Sequence, residues 1–333
     1  MAIKGTVENV AIAGMACAVP ANCRGNSDFA KRFGLEQMAK FEKMVGVRER
    51  RFAADGDTTA DLAYAAAVRL KETGCWSEQD VDAVLFVTQT PNHVLPSTAC
   101  ELQVRLGIKR DVVAYDINLG CSGFVYGVLS SASLLQMQGV HKVLLLGGDT
   151  ISKLTAEDDA ASAPLFGDAG FATVLSRSDA AIPIHYSFMS DGAGARAILA
   201  EHGGRLAMDG MDVFNFTINE VPDLINEQMS QCGVSADQVD YLVLHQANKF
   251  VLKQVALATG FSMKKVPVSM DRFGNTSSAS IPITLCDIKM ANPDVGVKKV
   301  VMSGFGVGLS WGTLLMDFDF DTCFGIVVGE ANQ

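Results

Sequence analysis

The chain has 333 residues, 49% of them hydrophobic and 19% charged, with a mean hydropathy of +0.22 and a pI near 5.0. That much apolar material builds a large core and excludes a disordered chain, and the length fits two domains or one large double one. A formal net charge of −10 argues against general binding to nucleic acid, which requires a basic face.

In chain order, the first apolar stretch is NVAIAGMACAVPA, residues 9–21. It has the outline of a signal h-region with an A-x-A site, but only Lys4 and then Glu8 stand before it, so it reads as a first buried strand. Residues 60–73, ADLAYAAAVRLKET, have a helical pattern, capped by the Thr58-Thr59 pair and ended at Gly74. VDAVLFVT at 81–88, VLLLG at 143–147 and VDYLVLH at 239–245 read as strands buried on both faces. Such runs alternating with Ala-rich helices predict an α/β protein. No apolar run reaches the ~18 residues of a membrane span. The eight cysteines, at 17, 23, 75, 100, 121, 232, 286 and 323, form no C-x-x-C pair and no zinc-spaced cluster. Dispersed thiols in a core-rich chain fit a reducing cytosol better than a disulfide scaffold, and no metal is expected.

The chain also repeats itself. CWSEQDVDAVLFVTQ from Cys75 is echoed by CGVSADQVDYLVLHQ from Cys232, with Ser77, Val81 and Asp82 recurring as Ser235, Val239 and Asp240. HKVLLLGG at 141 is echoed by KKVVMSGFG at 298, at nearly the same offset. Two echoes in one order predict a duplicated α/β unit, an N-terminal half over 1–175 and a C-terminal half over 176–333, packed as one body with no linker.

The segment YDINLGCSGF, residues 115–124, places Cys121 where a strand gives way to a helix. A helix N-terminus carries partial positive charge and unpaired N–H groups, which favour a thiolate. Gly120 and Gly123 would let the chain turn sharply and leave room for a substrate. The competing reading is a small buried residue near a turn, the one adopted for Cys17, Cys75, Cys100, Cys232, Cys286 and Cys323. Two features of the second half favour a nucleophile. His245 ends a strand at the carboxyl edge where α/β sheets place ligands, and Asn275 sits in a Gly-Asn turn opening a small-residue helix. By the repeat, the two helix starts and the His strand converge, giving a nucleophile and two hydrogen-bond donors. MSGFGVGLSWG at 302–312 lacks G-x-G-x-x-G spacing, so it predicts no dinucleotide site, but its turn could offer a backbone N–H to an oxyanion.

YDINLGCSGF, HQAN, GNTSSASIP and GFGVGLSWG, in this order and spacing, resemble the β-ketoacyl-acyl-carrier-protein synthase III family of the thiolase superfamily. MVGVRERRFAADGDTTADLAYAAA, NHVLPSTACELQVRLG and FGDAGFATVL resemble further family segments, so the likeness spans nearly the whole chain. It implies a thiolase-like duplicated α-β-α-β-α five-layer fold, usually a homodimer, and a cytoplasmic enzyme of fatty-acid or specialised acyl metabolism. It implies that Cys121 takes an acyl group from a thioester. His245 and Asn275 would then hold a malonyl or β-ketoacyl thioester carbonyl during loss of CO2 in a decarboxylative Claisen condensation. The backbone N–H groups of Cys121 and Val307 would form the oxyanion hole. Leu95 would reach the partner subunit's acyl pocket, Met208 and Phe214 would line the acyl pocket, and Asn248 would line its entry. Coenzyme A or carrier phosphopantetheine thioesters would be substrates, with no cofactor.

The sequence departs from the family pattern at both planar partners of the coenzyme A adenine. LEQMAKFEKMVGV has no Trp and TAEDDAASAPLF has no Arg, which points to carrier-bound donors. Lys249, Lys253 and the Lys264-Lys265 pair are the candidates for docking an acidic acyl carrier protein. Two alternatives stay open: a thiolase-fold acyltransferase passing the acyl group to an oxygen or nitrogen nucleophile, and a non-catalytic partner subunit.

Overall fold

A computed structural model describes residues 2–180 and 183–329. Two mixed sheets organise it. The six-stranded sheet runs Cys323–Gly329, Val10–Pro20, Ala169–Arg177, Lys142–Asp149, Ala83–Val87, Val113–Ile117. The five-stranded sheet runs Ile3–Val7, Ile184–Ser190, Ser310–Asp319, Val297–Gly306, Tyr241–Leu244.

The sequence echoes are structural equivalents. Ala83–Val87 lies parallel to Lys142–Asp149, which is antiparallel to Ala169–Arg177; Tyr241–Leu244 lies parallel to Val297–Gly306, which is antiparallel to Ser310–Asp319. The match reaches single hydrogen bonds. Asp82 Oδ2 accepts from the N–H of Lys142 at 3.2 Å, and Asp240 Oδ2 accepts from the N–H of Lys299 at 2.9 Å. Each aspartate thus ties the start of its strand to the start of its neighbour. The halves exchange outer strands: Ile3–Val7 pairs with Ile184–Ser190, and Cys323–Gly329 pairs with Val10–Pro20.

Strand Ala83–Val87 is apolar at every position because both its faces are covered. Along Ala83–Val87, Leu85 and Val87 face inward with Leu145, while Val84 and Phe86 face outward with Leu144 and Leu146, the period-two alternation of a strand. Helices Gly123–Leu134 and Ser280–Ala291 fill the inner layer, their Phe124, Val128, Ile281 and Leu285 packing against strands of both sheets. Helix Thr59–Glu72 covers the outer face of the six-stranded sheet through Ala63, Ala66, Ala67 and Leu70. Its start is fixed by a capping box in which Thr58 and Asp61 satisfy each other's backbone. Helices Gly210–Gln231 and Lys249–Ala258 cover the outer face of the other sheet. The layers read α-β-α-β-α, the thiolase fold. All eight cysteines are free thiols, and no helix of the described residues is long and apolar enough to cross a membrane.

Candidate active site

Both inner helices begin near the carboxyl ends of the strands, and the site lies where their N-termini meet. Cys121 precedes helix Gly123–Leu134, and Asn275 precedes the turn that leads into helix Ser280–Ala291. His245 follows strand Tyr241–Leu244, its N–H held by Ser303 O at 2.8 Å. A cavity of about 130 Å³ has Cys121, His245, Asn275 and Val307 in its wall, along with Met208, Phe214 and Asn248. The residues named from the sequence as nucleophile, donors, acyl pocket and entry therefore share one space.

The two glycines beside Cys121 serve close packing rather than a left-handed turn. Neither has a positive φ. A Cβ at Gly120 would stand 2.3 Å from Gln89 Oε1, and one at Gly123 would stand 2.4 Å from Val87 Cγ1. The glycines of strand Val297–Gly306 press on the cysteine from the other side: a Cβ at Gly306 would lie 2.7 Å from Cys121 Cβ and 3.2 Å from its Sγ. Cys121 is thus gripped between a strand end and a helix start that only glycine lets approach.

That grip keeps water away and sets the electrostatics. Burial, with the nearby Asp149 carboxylate, pushes the Cys121 thiol up to about 12, against hydrogen bonds from the Ser277 hydroxyl and a backbone N–H. The helix-start effect expected from the sequence is therefore outweighed by desolvation, and the resting group is a thiol. Burial pushes His245 down to about 3, so its imidazole is neutral. Its Nδ1 lies 2.8 Å from the Ser280 hydroxyl, and its ring meets Phe305 edge-on at 5.4 Å between centroids.

Asn275 is oriented by its own turn. Its Oδ1 accepts the Ser277 N–H at 2.9 Å, leaving the amide NH₂ as the end able to donate. Its backbone is clamped by residues 165–167: Asn275 N donates to Leu165 O at 2.9 Å, and Gly167 N donates to Asn275 O at 3.0 Å. Gly274 turns there with φ 69°. Behind this clamp lies Arg50, fully buried, whose Nη2 donates to Pro164 O at 2.6 Å and Asn26 Oδ1 at 2.8 Å. The RERR motif thus anchors the loop that holds the asparagine.

Other expected site residues stand further out. Asn248 lines the cavity, but its Oδ1 also caps helix Lys249–Ala258 by accepting Val251 N at 2.8 Å. Lys249 and Lys253 are exposed on that helix. Lys265 is spent on structure, its Nζ donating to the carbonyls of Ala236, Asp237 and Val239. Leu95 is 79% exposed beside Val94, outside the cavity of its own chain. Asp116, near the nucleophile in sequence, caps helix Thr98–Arg105 instead, taking the N–H groups of Thr98 and Ala99 at 2.7 and 2.8 Å. Two polar groups escaped sequence reasoning: Ser277, which lines the same cavity as the cysteine, and Asp149, whose signal was a carboxylate closing the apolar run LLLGGD.

Comparison with known proteins finds relatives over most of the chain. The 3-oxoacyl-[acyl-carrier-protein] synthase III model matches residues 115–192, and the model of that synthase's C-terminal part matches residues 229–318. A solved 3-oxoacyl-(acyl-carrier protein) synthase from Burkholderia xenovorans superposes with a TM-score of 0.95 at 34% identity, covering 98% of this chain and 99% of that one. The fold and these matches define an acyl-transferring condensing enzyme of the thiolase fold. The β-ketoacyl-[acyl-carrier-protein] synthase III of Oceanobacillus iheyensis is 33% identical over 309 residues, covering 92% of this chain and 98% of its own. That of Staphylococcus aureus is 32% identical with the same coverage. The chain belongs to the β-ketoacyl-[acyl-carrier-protein] synthase III family.

Proposed function

We propose that Cys121 accepts an acyl group from a thioester and that His245 and Asn275 hold the thioester carbonyl of a malonyl or β-ketoacyl unit. The observation that carries this reading is the meeting of all three in one apolar cavity, with the Asn275 amide oxygen already tied so that its NH₂ end donates. As CO2 leaves, negative charge grows on the carbonyl oxygen, and donors placed beforehand stabilise it. His245 is the second of these donors, its ring held by the 2.8 Å contact between Nδ1 and the Ser280 hydroxyl. The carbanion then attacks the acyl-Cys121 carbonyl, whose oxyanion is held by the backbone N–H groups of Cys121 and Val307. Met208 and Phe214 receive the acyl chain, and Asn248 lines the entry.

The substrates are thioesters of coenzyme A or of carrier phosphopantetheine, and the chemistry needs no metal or other cofactor. The missing Trp and Arg favour the carrier-bound form, docked beside exposed Lys249 and Lys253. Val113–Ile117 is an open sheet edge with Val113 and Tyr115 partly exposed, and Val94 and Leu95 are exposed apolar residues. A second copy of the chain docked there would make a homodimer, each Leu95 reaching its partner's acyl pocket. Eight free thiols suit a cytoplasmic enzyme.

The test is intact-mass detection of acyl-Cys121 with coenzyme A and carrier donors, followed by malonyl carrier. Release of CO2 with a β-ketoacyl product supports the reading. Ester or amide formation without CO2 overturns the condensation, and failure to acylate with every donor overturns catalysis by this chain.

A further inference from the structure

The wall of the active-site cavity is mostly apolar, and its polar members besides Cys121, His245 and Asn275 are Gln89, Thr217, Asn248 and Ser277. Two of these serve their own helices: Thr217 Oγ1 donates to Val213 O at 2.7 Å, and Asn248 Oδ1 takes the Val251 N–H at 2.8 Å. Gln89 is differently placed. It follows strand Ala83–Val87, where the buried Asp149 carboxylate pins the backbone by accepting the Gln89 N–H at 2.7 Å and the Thr88 hydroxyl at 3.2 Å. Thr90, next along, meets the Thr59 hydroxyl at 2.7 Å and takes the Thr150 N–H at 3.0 Å. The flanking threonines thus turn to a polar cluster of their own, and Gln89 lines the cavity. Its hydrogen bond among the described residues is made by its backbone, so the side-chain amide keeps a donor end and an acceptor end for what enters. The glycine beside the nucleophile marks where that amide stands: a Cβ at Gly120 would lie 2.3 Å from Gln89 Oε1 and 3.0 Å from Ser277 Oγ. Both polar side chains therefore lie against the residue that precedes Cys121.

We propose that Gln89 selects acyl groups that carry an oxygen on their third carbon, 3-oxoacyl or 3-hydroxyacyl thioesters, over saturated ones, resting on the reading of Cys121 as the acylated nucleophile. An acyl chain on Cys121 starts beside Gly120, and its thioester oxygen belongs to the backbone N–H groups of Cys121 and Val307. The amide next to that point meets the first carbons beyond the carbonyl. A saturated chain there takes water from the amide and returns no hydrogen bond, which is unfavourable. A ketone at C3 accepts from the Gln89 NH₂, and a hydroxyl at C3 uses either end of the amide. An oxygen at C3 is the one that a decarboxylative condensation leaves, so the reaction that supplies this donor is an earlier condensation, with or without reduction of its ketone. Gln89 makes and breaks no bond; it decides which chain is held, while the rest of that chain runs on among Leu206, Met208 and Phe214.

The experiment offers the full-length chain hexanoyl-, 3-oxohexanoyl- and 3-hydroxyhexanoyl-pantetheine and times acylation of Cys121 by intact mass. At least one oxygenated donor is expected to load about tenfold faster than hexanoyl, or more, because the saturated chain leaves the amide unpaired. The faster of the two oxygenated donors tells ketone from hydroxyl. Gln89→Met keeps the length of the side chain and removes the amide. It should erase the preference by slowing the oxygenated donors while hexanoyl loads at least as fast as in the parent. Equal parental rates for all three donors overturn the proposal, even where the variant fails to fold. An equal loss for all three in Gln89→Met also overturns it, being the mark of an amide that only supports the site. Calorimetric binding of the same thioesters to Cys121→Ala keeps the two readings apart. A tenfold preference in Kd there, beside a parent that never forms acyl-Cys121, would sink the proposed function and spare the selection. Acylation of the parent by all three donors at one rate would do the reverse.

Discussion

Strands Lys142–Asp149 and Val297–Gly306 hold the same place in the two sheets, Val143 pairing with Ala83 as Val300 pairs with Tyr241. At matching ends, the first closes on the carboxylate of Asp149 and the second on Gly306, which has no side chain and is pressed against Cys121. The neighbouring strands differ in the same manner. Val87 packs against Gly123 at the start of one inner helix, while His245, its counterpart, meets the Ser280 hydroxyl at the start of the other. Duplication supplied a symmetric frame with two helix starts facing each other. The symmetry is broken at a few positions: a thiol just before one inner helix and an amide in the turn before the other, an imidazole where its twin is apolar, and a carboxylate where its twin is bare.

The comparison can be broken at each of those positions. Cys121→Ala removes the proposed nucleophile, and intact mass should then show no acyl adduct from any donor. His245→Val, which gives the second half the residue of the first, should cut CO2 release by about 10²–10³-fold through loss of one donor. Acyl loading of Cys121 should survive, and a parallel loss of loading would show that the imidazole serves the thiol instead. Gly306→Ala would force a Cβ to 2.7 Å from that of Cys121. The overpacking should cost about 1–3 kcal/mol in thermal or denaturant unfolding and slow acylation.

The smallest effect lies in the acid limb of stability. A buried neutral His245, held down to about 3 from 6.5, stabilises the fold above the unfolded value, and that contribution is lost as pH falls from 6.5 toward 3. Asp168, pushed up to about 6 by burial, tilts the other way, its contribution being lost as pH rises from about 4 to 6. The parent alone therefore shows a blend, and His245→Gln isolates one part. Its melting temperature should fall less steeply than the parent's between pH 6.5 and 5, measured by circular dichroism.

Much of this frame could be read along the chain. The runs at 81–88, 143–147 and 239–245 were legible as strands because burial on both faces leaves only apolar side chains, and Thr58 and Gly74 bracketed the helix between them. The convergence of Cys121, His245 and Asn275 followed from the repeat and the family motifs. What escaped was set by packing between distant segments. Nothing near Gly120 says that Gln89 will occupy the space of its missing Cβ. Nothing near Cys121 says that desolvation will overrule a helix start, because that depends on Gly306 and Asn275, far along the chain. Ser277 read as one small residue among several, since nothing in its type announces a left-handed backbone.

The exchange of outer strands carries a consequence for the order in which the molecule can be made. As the chain emerges during synthesis, Ile3–Val7 comes first yet has no neighbour until Ile184–Ser190 exists. Val10–Pro20 keeps one edge unpaired until Cys323–Gly329 arrives. Neither half can close its sheet from its own residues, so an isolated half would present an open, hydrogen-bond-hungry edge of the kind that recruits other strands. Completion is deferred to pairings about 180 and about 310 residues apart in sequence, the sort that folds slowly and is vulnerable to aggregation on the way.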